Sequence, residues 1–385
     1  MKYRLEDICS FRKEKVEVSS LTLENYISTE NMLPNKAGIT KATSLPKCNT
    51  TQRFECGDVL VSNIRPYFKK IWKAKFNGGC SNDVLVFSAK KGFDSEFLYY
   101  VLSNDSFFDY SMATSKGTKM PRGDKKSIMN YEVHGFDINI QIKIASILKS
   151  IDDKIELNNK INNNLEQQAM AIFNNAIEQS KFVTYAELGS LADVKGGKRL
   201  PKGANLMSIP NSHPYIRVRD LNDVVFASLS ANYEYVDDET QKTISRYITT
   251  TDDVLISIVG TIGLTAIVDK SLNMANLTEN CVKVTNLHGI SPEYLLLYLR
   301  SQHGSEEIKK GTVGAVQAKL PIKNIQALSV PLLPQSDLQS LNDTLKVLFN
   351  QLSINVAESK CLTDIRESLL PKLMSGELDV SEIDL

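Results

Sequence analysis

A helical seam that occurs twice is the feature of this sequence that most constrains its fold. From Ile144, apolar positions recur in alternating steps of four and three residues, and the same series reappears 197 residues later from Leu341. A seven-residue repeat sustained over about four heptads is typical of a coiled coil. Two such runs in one chain predict that the helices pack on each other, which would give the molecule a pseudo-twofold axis.

Both runs become polar near their middle. The seam positions are Leu148, Ile151, Ile155, Asn158, Asn162 and Leu165 in the first run, and Leu345, Leu348, Leu352, Asn355, Ser359 and Leu362 in the second. An antiparallel pair is favoured, because in a parallel pair the intervening residues would have to span roughly 50 Å. Asn158 would then meet Ser359, and Asn162 would meet Asn355. Such a polar layer fixes register at a cost in stability, unless these positions face water at a loose midpoint.

The segments before the two helices also repeat. DVLVS at 58–62 matches DVLIS at 253–257, KGT at 116–118 matches KGT at 310–312, and Leu5 and Ile8 match Leu188 and Leu191. Strands are predicted at 58–62, 83–87, 254–259 and 281–284, and short helices at 96–102 and 292–300. The expected fold is therefore two mixed α/β (α+β) modules joined by two long antiparallel coiled-coil helices.

These patterns also predict where each part begins and ends. The first module covers 1–138, the first long helix 139–179, the second module 180–334, and the second helix with an acidic tail 335–385. Ser336 and Gln339 have the spacing of a capping box at the start of the second helix, and Pro371 is expected to end or bend it.

Composition excludes several protein classes. No run approaches the ~18 apolar residues of a membrane helix, and the charged start lacks a signal-peptide core, so a cytoplasmic protein without membrane partners is expected. The six cysteines include no Cys-x-x-Cys pair and the four histidines no metal-spaced pair, which argues for reduced thiols and against a metal site.

Charge is balanced overall but unevenly distributed. The chain has 45 basic and 45 acidic residues, yet residues 1–140 have 21 Lys/Arg against 16 Asp/Glu, and residues 336–385 have 4 against 9. This asymmetry is compatible with one surface for DNA and another for a protein partner, although a chance distribution of charged residues would also produce it.

Basic clusters occur at matching places in both modules. The candidate DNA-binding residues of the first module are Arg65, Lys69, Lys70, Lys73, Lys75, Lys116, Gly117, Thr118, Lys119 and Arg122. Those of the second are Lys195, Lys198, Arg199, Lys202, Arg217, Arg219, Lys309, Lys310, Gly311, Thr312, Gln317 and Lys319. Glycine lets backbone approach a phosphate, Lys and Arg neutralise it, and Arg or Gln can read base edges. Each lysine alone is also compatible with an ordinary solvated surface, and each Gly-Thr loop with a structural turn.

Signatures of catalysis are absent from the sequence. It contains no Pro-Pro pair, and so no Asn/Asp-Pro-Pro-aromatic motif of adenine methylation, and no phosphate-binding P-loop. It also lacks a Gly-x-Ser-x-Gly elbow and a Pro-Asp dipeptide. Two different modules on a stiff spacer instead suit recognition of a bipartite, asymmetric stretch of DNA, with no catalytic residue and no metal in this chain.

The sequence resembles the specificity subunits of type I restriction–modification enzymes along essentially its whole length. Residues 142–173 are similar to the central conserved helix of that family. The segments 57–72, 78–87, 197–203, 214–221 and 252–263 resemble blocks of its target-recognition domains.

The resemblance implies a division of labour in a larger complex. Each module would be a target-recognition domain that reads one half of a split double-stranded DNA site. The helices would set the spacer and dock two modification subunits, which bind S-adenosylmethionine and methylate adenine. Restriction subunits, where present, would add ATP- and magnesium-dependent cleavage. Two alternatives stay open on the residues alone: a coiled-coil scaffold without a DNA role, and an enzyme that modifies DNA by itself.

Overall fold

The computed structural model describes residues 2–230, 233–314 and 317–383 and divides the chain into two compact units. The first unit contains the residues up to Leu157 and those from Glu358 onward, and the second contains Asn158–Ala357. Each unit has mixed helices and sheets, and the two long helices contribute residues to both. The predicted fold class is thereby confirmed.

The first unit begins with fifteen elements. They are β1 (Lys2–Arg4), α1 (Leu5–Ile8), β2 (Cys9–Phe11), β3 (Lys15–Glu17), β4 (Tyr26–Ile27), β5 (Thr50–Phe54), β6 (Val59–Ser62), β7 (Ile71–Lys73), β8 (Gly78–Cys80), β9 (Val84–Ala89), α2 (Ser95–Ser103), α3 (Asp105–Ala113), α4 (Lys125–Met129), β10 (Glu132–His134) and the long helix α5 (Ile138–Gln179). The strands form sheets in the orders β1-β10, β2-β9-β6-β7 and β3-β5-β8-β4. Only the β4–β8 pair among these is parallel.

The second unit follows a closely related order. Its elements are β11 (Thr184–Glu187), α6 (Leu188–Leu191), β12 (Asp193–Gly196), β13 (Tyr215–Ile216), β14 (Phe226–Ala227), α7 (Asp238–Ile244), β15 (Val254–Ser257), β16 (Thr265–Val268), β17 (Asn276–Leu277), β18 (Cys281–Thr285), α8 (Pro292–Arg300), α9 (Gln302–Gly311), α10 (Ile322–Gln326), β19 (Ser329–Leu332) and the long helix α11 (Gln335–Ser375). Its sheets have the orders β11-β19, β12-β18-β15-β16-β14 and β13-β17.

Corresponding elements lie at constant sequence offsets. α6 follows α1 by 183 residues, and α8, α9 and α10 follow α2, α3 and α4 by 197 residues. The parallel pair β4–β8 corresponds to the parallel pair β13–β17, with a Tyr-Ile dipeptide in both first strands. The internal repeat of the sequence is therefore a repeat of structure.

Local sequence explains where the short helices begin. Asp94 caps α2 by accepting from the Phe97 backbone N–H, and Ser291 caps α8 in the same way for Tyr294, with Pro292 at the first helical position. Both caps satisfy N–H groups that have no partner inside the helix. The two helices predicted from sequence are thus present with their expected apolar faces buried.

The long helices pair antiparallel within each unit. In the second unit, Ala169 and Phe173 of α5 share one buried cluster with Leu341 and Leu345 of α11. In the first unit, Leu148 packs in a cluster with Leu370, and Asp152 accepts from Arg366 at 2.7 Å. Residues early in α5 therefore pack against residues late in α11, and residues late in α5 pack against residues early in α11. The helices are antiparallel, as the connectivity of the chain predicted.

All twelve predicted seam residues are buried or half-buried. Asn355 donates through Nδ2 to Oδ1 of Asn162 at 2.9 Å, so the structure brings these two side chains together. Asn158 lies in the second unit and Ser359 in the first, and their pairing stays a prediction.

One prediction for the ends of α11 is wrong, and another is wrong in part. Ser336 is the second residue of the helix, so it lies in the first turn rather than at an N-cap, and its hydroxyl contacts the Asp337 carboxylate at 3.1 Å. Pro371 lies inside the helix, which continues to Ser375, so it does not end the helix, and a bend at Pro371 stays a prediction. The backbone N–H groups of Asp337 and Leu338 instead donate to the Pro334 carbonyl, and these two bonds close the first turn of the helix.

Candidate nucleic-acid interface

An exposed loop between β6 and β7 carries the strongest basic cluster of the first unit. Arg65 and Lys69 both adopt the left-handed backbone conformation, at φ values of 51° and 49°, and they flank a single turn of 3-10 helix at Pro66–Phe68. Left-handed conformations are strained for residues with a side chain and are most often retained at functional sites. The turn projects Tyr67 and Phe68, which are 48% and 37% exposed and have ring centroids 4.7 Å apart.

A hairpin at 116–122 lies directly beside this loop. Lys116 and Arg122 exchange backbone hydrogen bonds of 2.9 and 3.0 Å across a turn that contains Gly117 at φ 92°. The Arg65 N–H donates to the Pro121 carbonyl at 2.8 Å, which fixes the loop against the hairpin. Thr118 and Lys119 are exposed on the tip of the turn.

The basic residues of the first unit differ in what they contact. Lys69 pairs with Asp105 at 2.8 Å and Arg122 with Asp83 at 3.1 Å, while Lys116 pairs with Asp124. Lys119 forms no ion pair within the described part of the chain. Three ammonium groups point elsewhere: Lys70 donates to the Thr29 carbonyl at 2.6 Å, Lys73 pairs with Glu96, and Lys75 with Glu156 at 2.7 Å.

These contacts divide the predicted cluster. Partial burial lowers the pKa of Lys70, which is the behaviour of an ammonium group withdrawn from water. Trp72, which lies between the lysines in sequence, is 8% exposed and belongs to a buried aromatic cluster with Phe54 and Phe76. Tyr67, Phe68 and the hairpin are therefore the exposed part of the cluster, and Arg65 and Lys69 are half-buried beside them.

Arg65 also has a buried polar atom without a partner. Its Nε has no hydrogen-bond acceptor among the described residues. A guanidinium nitrogen in this state is costly unless an acceptor reaches it.

A groove of about 360 Å³ lies next to the parallel β4–β8 pair, and we call it the first groove. Its wall is rich in hydroxyl and carboxylate groups, among them Ser28, Glu30, Asn31, Ser81 and Asp83. The Asp83 carbonyl accepts from the Asn63 N–H at 2.8 Å, and the Asn63 carbonyl accepts from the Gly123 N–H at 3.1 Å. Backbone hydrogen bonds thus connect the first groove to the basic loop and the hairpin.

The second unit builds the same frame from other residues. Val313 and Lys319 bridge across a turn with Gly314 at φ 97°, and the loop after β15 has Gly260 at φ 82° where the first unit has Arg65. Gln317 and Lys319 are exposed on this hairpin. The structural counterpart of Gly117 is therefore Gly314, at an offset of 197.

This corrects the predicted match between the two Lys-Gly-Thr sequences. Lys309, Lys310 and Gly311 form the last turn of α9, and Thr312 follows as its C-cap, with its hydroxyl donating to the Ile308 carbonyl at 2.8 Å. The match at an offset of 194 equates a helix end with a hairpin turn. The three identical residues at an offset of 194 are a coincidence, and the two hairpins correspond at an offset of 197.

A groove of about 380 Å³ lies beside the parallel β13–β17 pair, and we call it the second groove. The structure brings Arg199, Arg217 and Arg219 together on its wall. Arg219 pairs with Glu234 at 2.7 Å, and Arg217 pairs with the same carboxylate. Arg199 pairs with Glu279 at 2.8 Å. Burial raises the pKa of the Glu279 carboxyl, but hydrogen bonds, among them the one from Arg199, outweigh that effect and lower the pKa.

Other predicted residues of the second unit lie around this groove or apart from it. Lys195 pairs with Asp193 at 2.9 Å, the Lys198 ammonium lies 5.5 Å from the Tyr247 ring centroid, and Lys202 is exposed. Gly197 has a structural reason, because a Cβ there would lie 2.0 Å from the Thr278 carbonyl oxygen.

The two grooves occupy equivalent places with different walls. Tyr26, Ser81 and Asp83 in the first correspond to Tyr215, Thr278 and Asn280 in the second. The Ile258 N–H donates to the Asn280 carbonyl at 2.8 Å, as the Asn63 N–H does to that of Asp83. One frame thus presents hydroxyl and carboxylate groups with one lysine, Lys41, in the first unit, and three arginines with Glu279 in the second.

Sequence reasoning missed several groups at these sites. Lys36 contacts Asp105 at 2.7 Å, and its backbone N–H donates to the Lys69 carbonyl at 2.9 Å, so it belongs to the basic loop of the first unit. The turn sequence around Asn35 and Gly38 signalled a loop, but nothing local linked it to Lys69. The carboxylates of Glu234 and Glu279, which orient the arginines, were equally invisible.

Within the described residues, no group of three or more His, Cys, Asp or Glu side chains is arranged to hold a metal ion. All six cysteines are free thiols in the structure. None of the helices in the described ranges is long and apolar enough to cross a membrane.

Comparison with known proteins gives a consistent result. The family model described as "Type I restriction modification DNA specificity domain" matches residues 1–167 and 181–362. The HindI specificity subunit of Haemophilus influenzae is 22% identical over 98% of this chain and 99% of its own length. The MjaIX specificity subunit of Methanocaldococcus jannaschii is 24% identical over 76% of this chain and 71% of its own.

A solved structure shares the fold. The S subunit of a type I restriction–modification system from M. genitalium superposes with a TM-score of 0.59 at 18% identity, over 99% of this chain and 96% of that one. The family model covers most of both units, and both repeats match it separately. The chain belongs to the family of type I restriction–modification DNA specificity proteins.

Proposed function

We propose that this chain is the DNA-recognition subunit of a type I restriction–modification complex and that each unit reads one half of a bipartite, asymmetric site. The observation that carries the proposal is the pair of equivalent grooves with different walls. One frame with two sets of hydrogen-bonding groups suits two different half-sites.

The chemistry of the grooves suggests how the half-sites differ. Arginine is the side chain best suited to paired hydrogen bonds with guanine O6 and N7, and Arg217 and Arg219 line the second groove. The first groove offers the carboxylates of Glu30 and Asp83, and carboxylates accept from the amino groups of cytosine or adenine. We therefore expect guanine in the half-site of the second unit.

Exposed cations and aromatic rings complete the proposed interface. Lys119, Lys319 and the loop with Arg65 would neutralise phosphates, and Tyr67 with Phe68 offers a stacked aromatic surface beside them. In this proposal, residues 1–138 and 180–334 are the two target-recognition domains. Residues 139–179 and 335–385 dock the partner subunits.

The partners follow from the same proposal. Two modification subunits would dock on α5 and α11 and would carry S-adenosylmethionine, and restriction subunits, where present, would carry ATP and magnesium. This chain would be non-catalytic and would act in the cytoplasm, where its DNA substrate and partners are found. Incubation of the chain alone with DNA and labelled S-adenosylmethionine should transfer no methyl group.

Adenine methylation mapped by single-molecule sequencing is the direct test. Cells with the chain and a modification subunit should methylate one split, asymmetric motif, and deletion of the chain should abolish methylation at that motif alone. A methylation pattern that does not depend on the chain would contradict the proposal.

A substitution then tests the second groove. Arg219→Lys retains charge but loses the planar pair of donors, so methylation should relax at one position of one half-site, with a discrimination loss of about 1–3 kcal/mol. Arg246→Lys in the same unit is the matched control, because Arg246 lies outside the groove wall. Equal effects of both variants would exclude base reading by Arg219.

The helices provide a test of spacing. A heptad inserted after Leu157 and another after Ala357 would lengthen each helix by about 10 Å. The two methylated half-motifs should then lie about three base pairs further apart. An unchanged spacer would contradict a role of the helices in setting it.

A further inference from the structure

A cavity of about 410 Å³ in the second unit is not used by the proposed DNA interface. Its wall combines Glu178 at the end of α5, Tyr185 of β11, Tyr298 of α8, and His303 and Glu306 of α9. The aromatic rings are close together, because the His303 ring centroid lies 6.1 Å from that of Tyr185 and 6.1 Å from that of Tyr298. Three rings and two carboxylates therefore share one concave site.

Tyr298 contributes a buried polar atom that is unsatisfied. Its side chain is 0% exposed, and its hydroxyl has no hydrogen-bond partner among the described residues. Tyr294, one turn earlier on the same helix, donates to the Pro331 carbonyl at 2.6 Å. A buried phenol without a partner is uncommon, since such groups normally pair with protein or ligand atoms.

The charge of the cavity is negative. Neither lysine nor arginine lines it, and in the described parts of the chain neither Glu178 nor Glu306 takes part in an ion pair. Glu306 accepts one hydrogen bond, from the Gln302 amide at 3.0 Å. Aromatic faces with carboxylates beside them are the groups that bind organic cations in proteins.

We propose that this cavity binds an arginine side chain supplied by a partner protein. The guanidinium plane would stack on the exposed Tyr185 and His303 rings, and its N–H groups would meet the two carboxylates. A protein partner is favoured over a free solute because Phe182 and Tyr185 are 75% and 59% exposed on the chain segment that enters β11. Exposed aromatic residues beside a pocket are typical of interface hot spots.

The first unit lacks the corresponding site. The positions equivalent to Tyr185, Tyr298, His303 and Glu306 are Lys2, Val101, Ser106 and Asp109. Lys2 pairs with Glu132 at 2.6 Å and places a cation where the second unit has a ring. The proposed site would therefore make binding of the partner at the two units unequal.

The test uses the full chain with ¹³C-labelled tyrosine and N-acetylarginine amide as the probe, monitored by NMR. We expect saturable shifts of the Tyr185 resonance, assigned through Tyr185→Phe, with binding at least about tenfold tighter than that of neutral N-acetylcitrulline amide. Glu178→Gln with Glu306→Gln should weaken the probe at least about fivefold, and Asp109→Asn in the first unit should not. Followed through the resonance of Tyr298, assigned through Tyr298→Phe, Tyr185→Leu should abolish binding that Tyr185→Phe retains.

Three results would overturn the proposal. They are no saturable shift up to about 50 mM probe, equal binding of the citrulline derivative, and equal effects of the glutamate pair and Asp109. Thermal denaturation of each variant separates loss of the site from loss of the fold. DNA binding by the Glu178→Gln, Glu306→Gln variant should match that of the unchanged chain, so this site and the proposed DNA function can fail independently.

Discussion

Asn355 and Asn162 form a buried side-chain hydrogen bond between the two long helices, with Nδ2 of Asn355 2.9 Å from Oδ1 of Asn162. The side chains are 5% and 8% exposed, and Gln351 donates to Asn355 Oδ1 at 2.9 Å. A polar pair in an apolar seam disfavours other registers, because any slip would leave two amides opposite leucine or alanine.

A double-mutant cycle tests this role. Asn355→Leu alone should destabilise the chain by about 1–3 kcal/mol, because the Asn162 amide is left buried without its partner. Adding Asn162→Leu should recover most of the loss, since the seam is then apolar throughout. Asn350→Leu, at an exposed position of the same helix, is the control. Urea denaturation measures these three variants and Asn162→Leu alone, and additive effects of the two seam substitutions would exclude coupling.

Arg65 has a backbone role and a side-chain role that substitutions can separate. Its φ of 51° occupies the position that Gly260 fills at 82° in the second unit. Arg65→Gly should therefore leave stability unchanged or higher by about 1 kcal/mol, yet weaken DNA binding. Arg65→Val should destabilise the chain, because a β-branched residue tolerates positive φ poorly.

Thermal denaturation and DNA binding by fluorescence anisotropy measure the two roles separately. If Arg65→Gly bound DNA as tightly as the unchanged chain, Arg65 would serve only the loop. If it were less stable than Arg65→Val, the left-handed backbone would carry no strain.

Asp105 links the basic loop to a second cation. Partial burial raises its pKa, but hydrogen bonds and charge from Lys36 and Lys69 outweigh that effect, so its pKa lies below its ordinary value of 3.8. A carboxyl whose pKa is depressed by folding stabilises the fold above its unfolded pKa, and that stabilisation is lost as the pH falls through the folded value.

Asp105→Asn should accordingly lower stability at neutral pH by about 0.5 kcal/mol, a small effect because the pair is exposed to water. The difference from the unchanged chain should shrink below about pH 4, where the carboxyl of the unfolded chain is protonated. Asp109→Asn, which removes an exposed carboxylate on the same helix, is the control substitution. Urea midpoints at a series of pH values measure this, and a difference that grew on acidification would contradict the assignment.

Much of the fold follows from periodicity and caps. The seam from Ile144 and the strand runs at 58–62 and 254–259 are local signals, and they predicted elements that are present. The failures were also local. An identity of three residues led to the match of Gly311 with Gly117, whereas the structural counterpart of Gly117 is Gly314. A capping pattern predicted a cap at Ser336, whereas the Pro334 carbonyl accepts the first N–H groups of the helix. In both cases the local sequence allowed two arrangements and did not show which one forms.

The site was predictable only as a set of basic clusters. Which cations are withdrawn depends on acids that are remote in sequence, such as Glu96 for Lys73 and Glu156 for Lys75. The grooves depend on parallel bridges between short strands, and the pairing of Tyr26 with Gly79 or Tyr215 with Asn276 has no signature in the chain. Arg199 and Arg219 are apart in sequence, and they line the same groove only because those bridges form.

Lys119 and Lys73 provide the final prediction, because the sequence grouped them and the structure separates them. Lys119 is exposed on the hairpin without an ion pair among the described residues, whereas Lys73 pairs with Glu96 on α2. Lys119→Gln should weaken DNA binding uniformly across sequences and reduce the slope of log K against log salt by about 1, because one phosphate contact is lost. Lys73→Gln should leave the slope unchanged and cost stability instead, since Glu96 would lose its partner. Anisotropy titrations between about 50 and 200 mM salt measure both variants. Equal slopes for the two would show that the hairpin does not contact the DNA backbone.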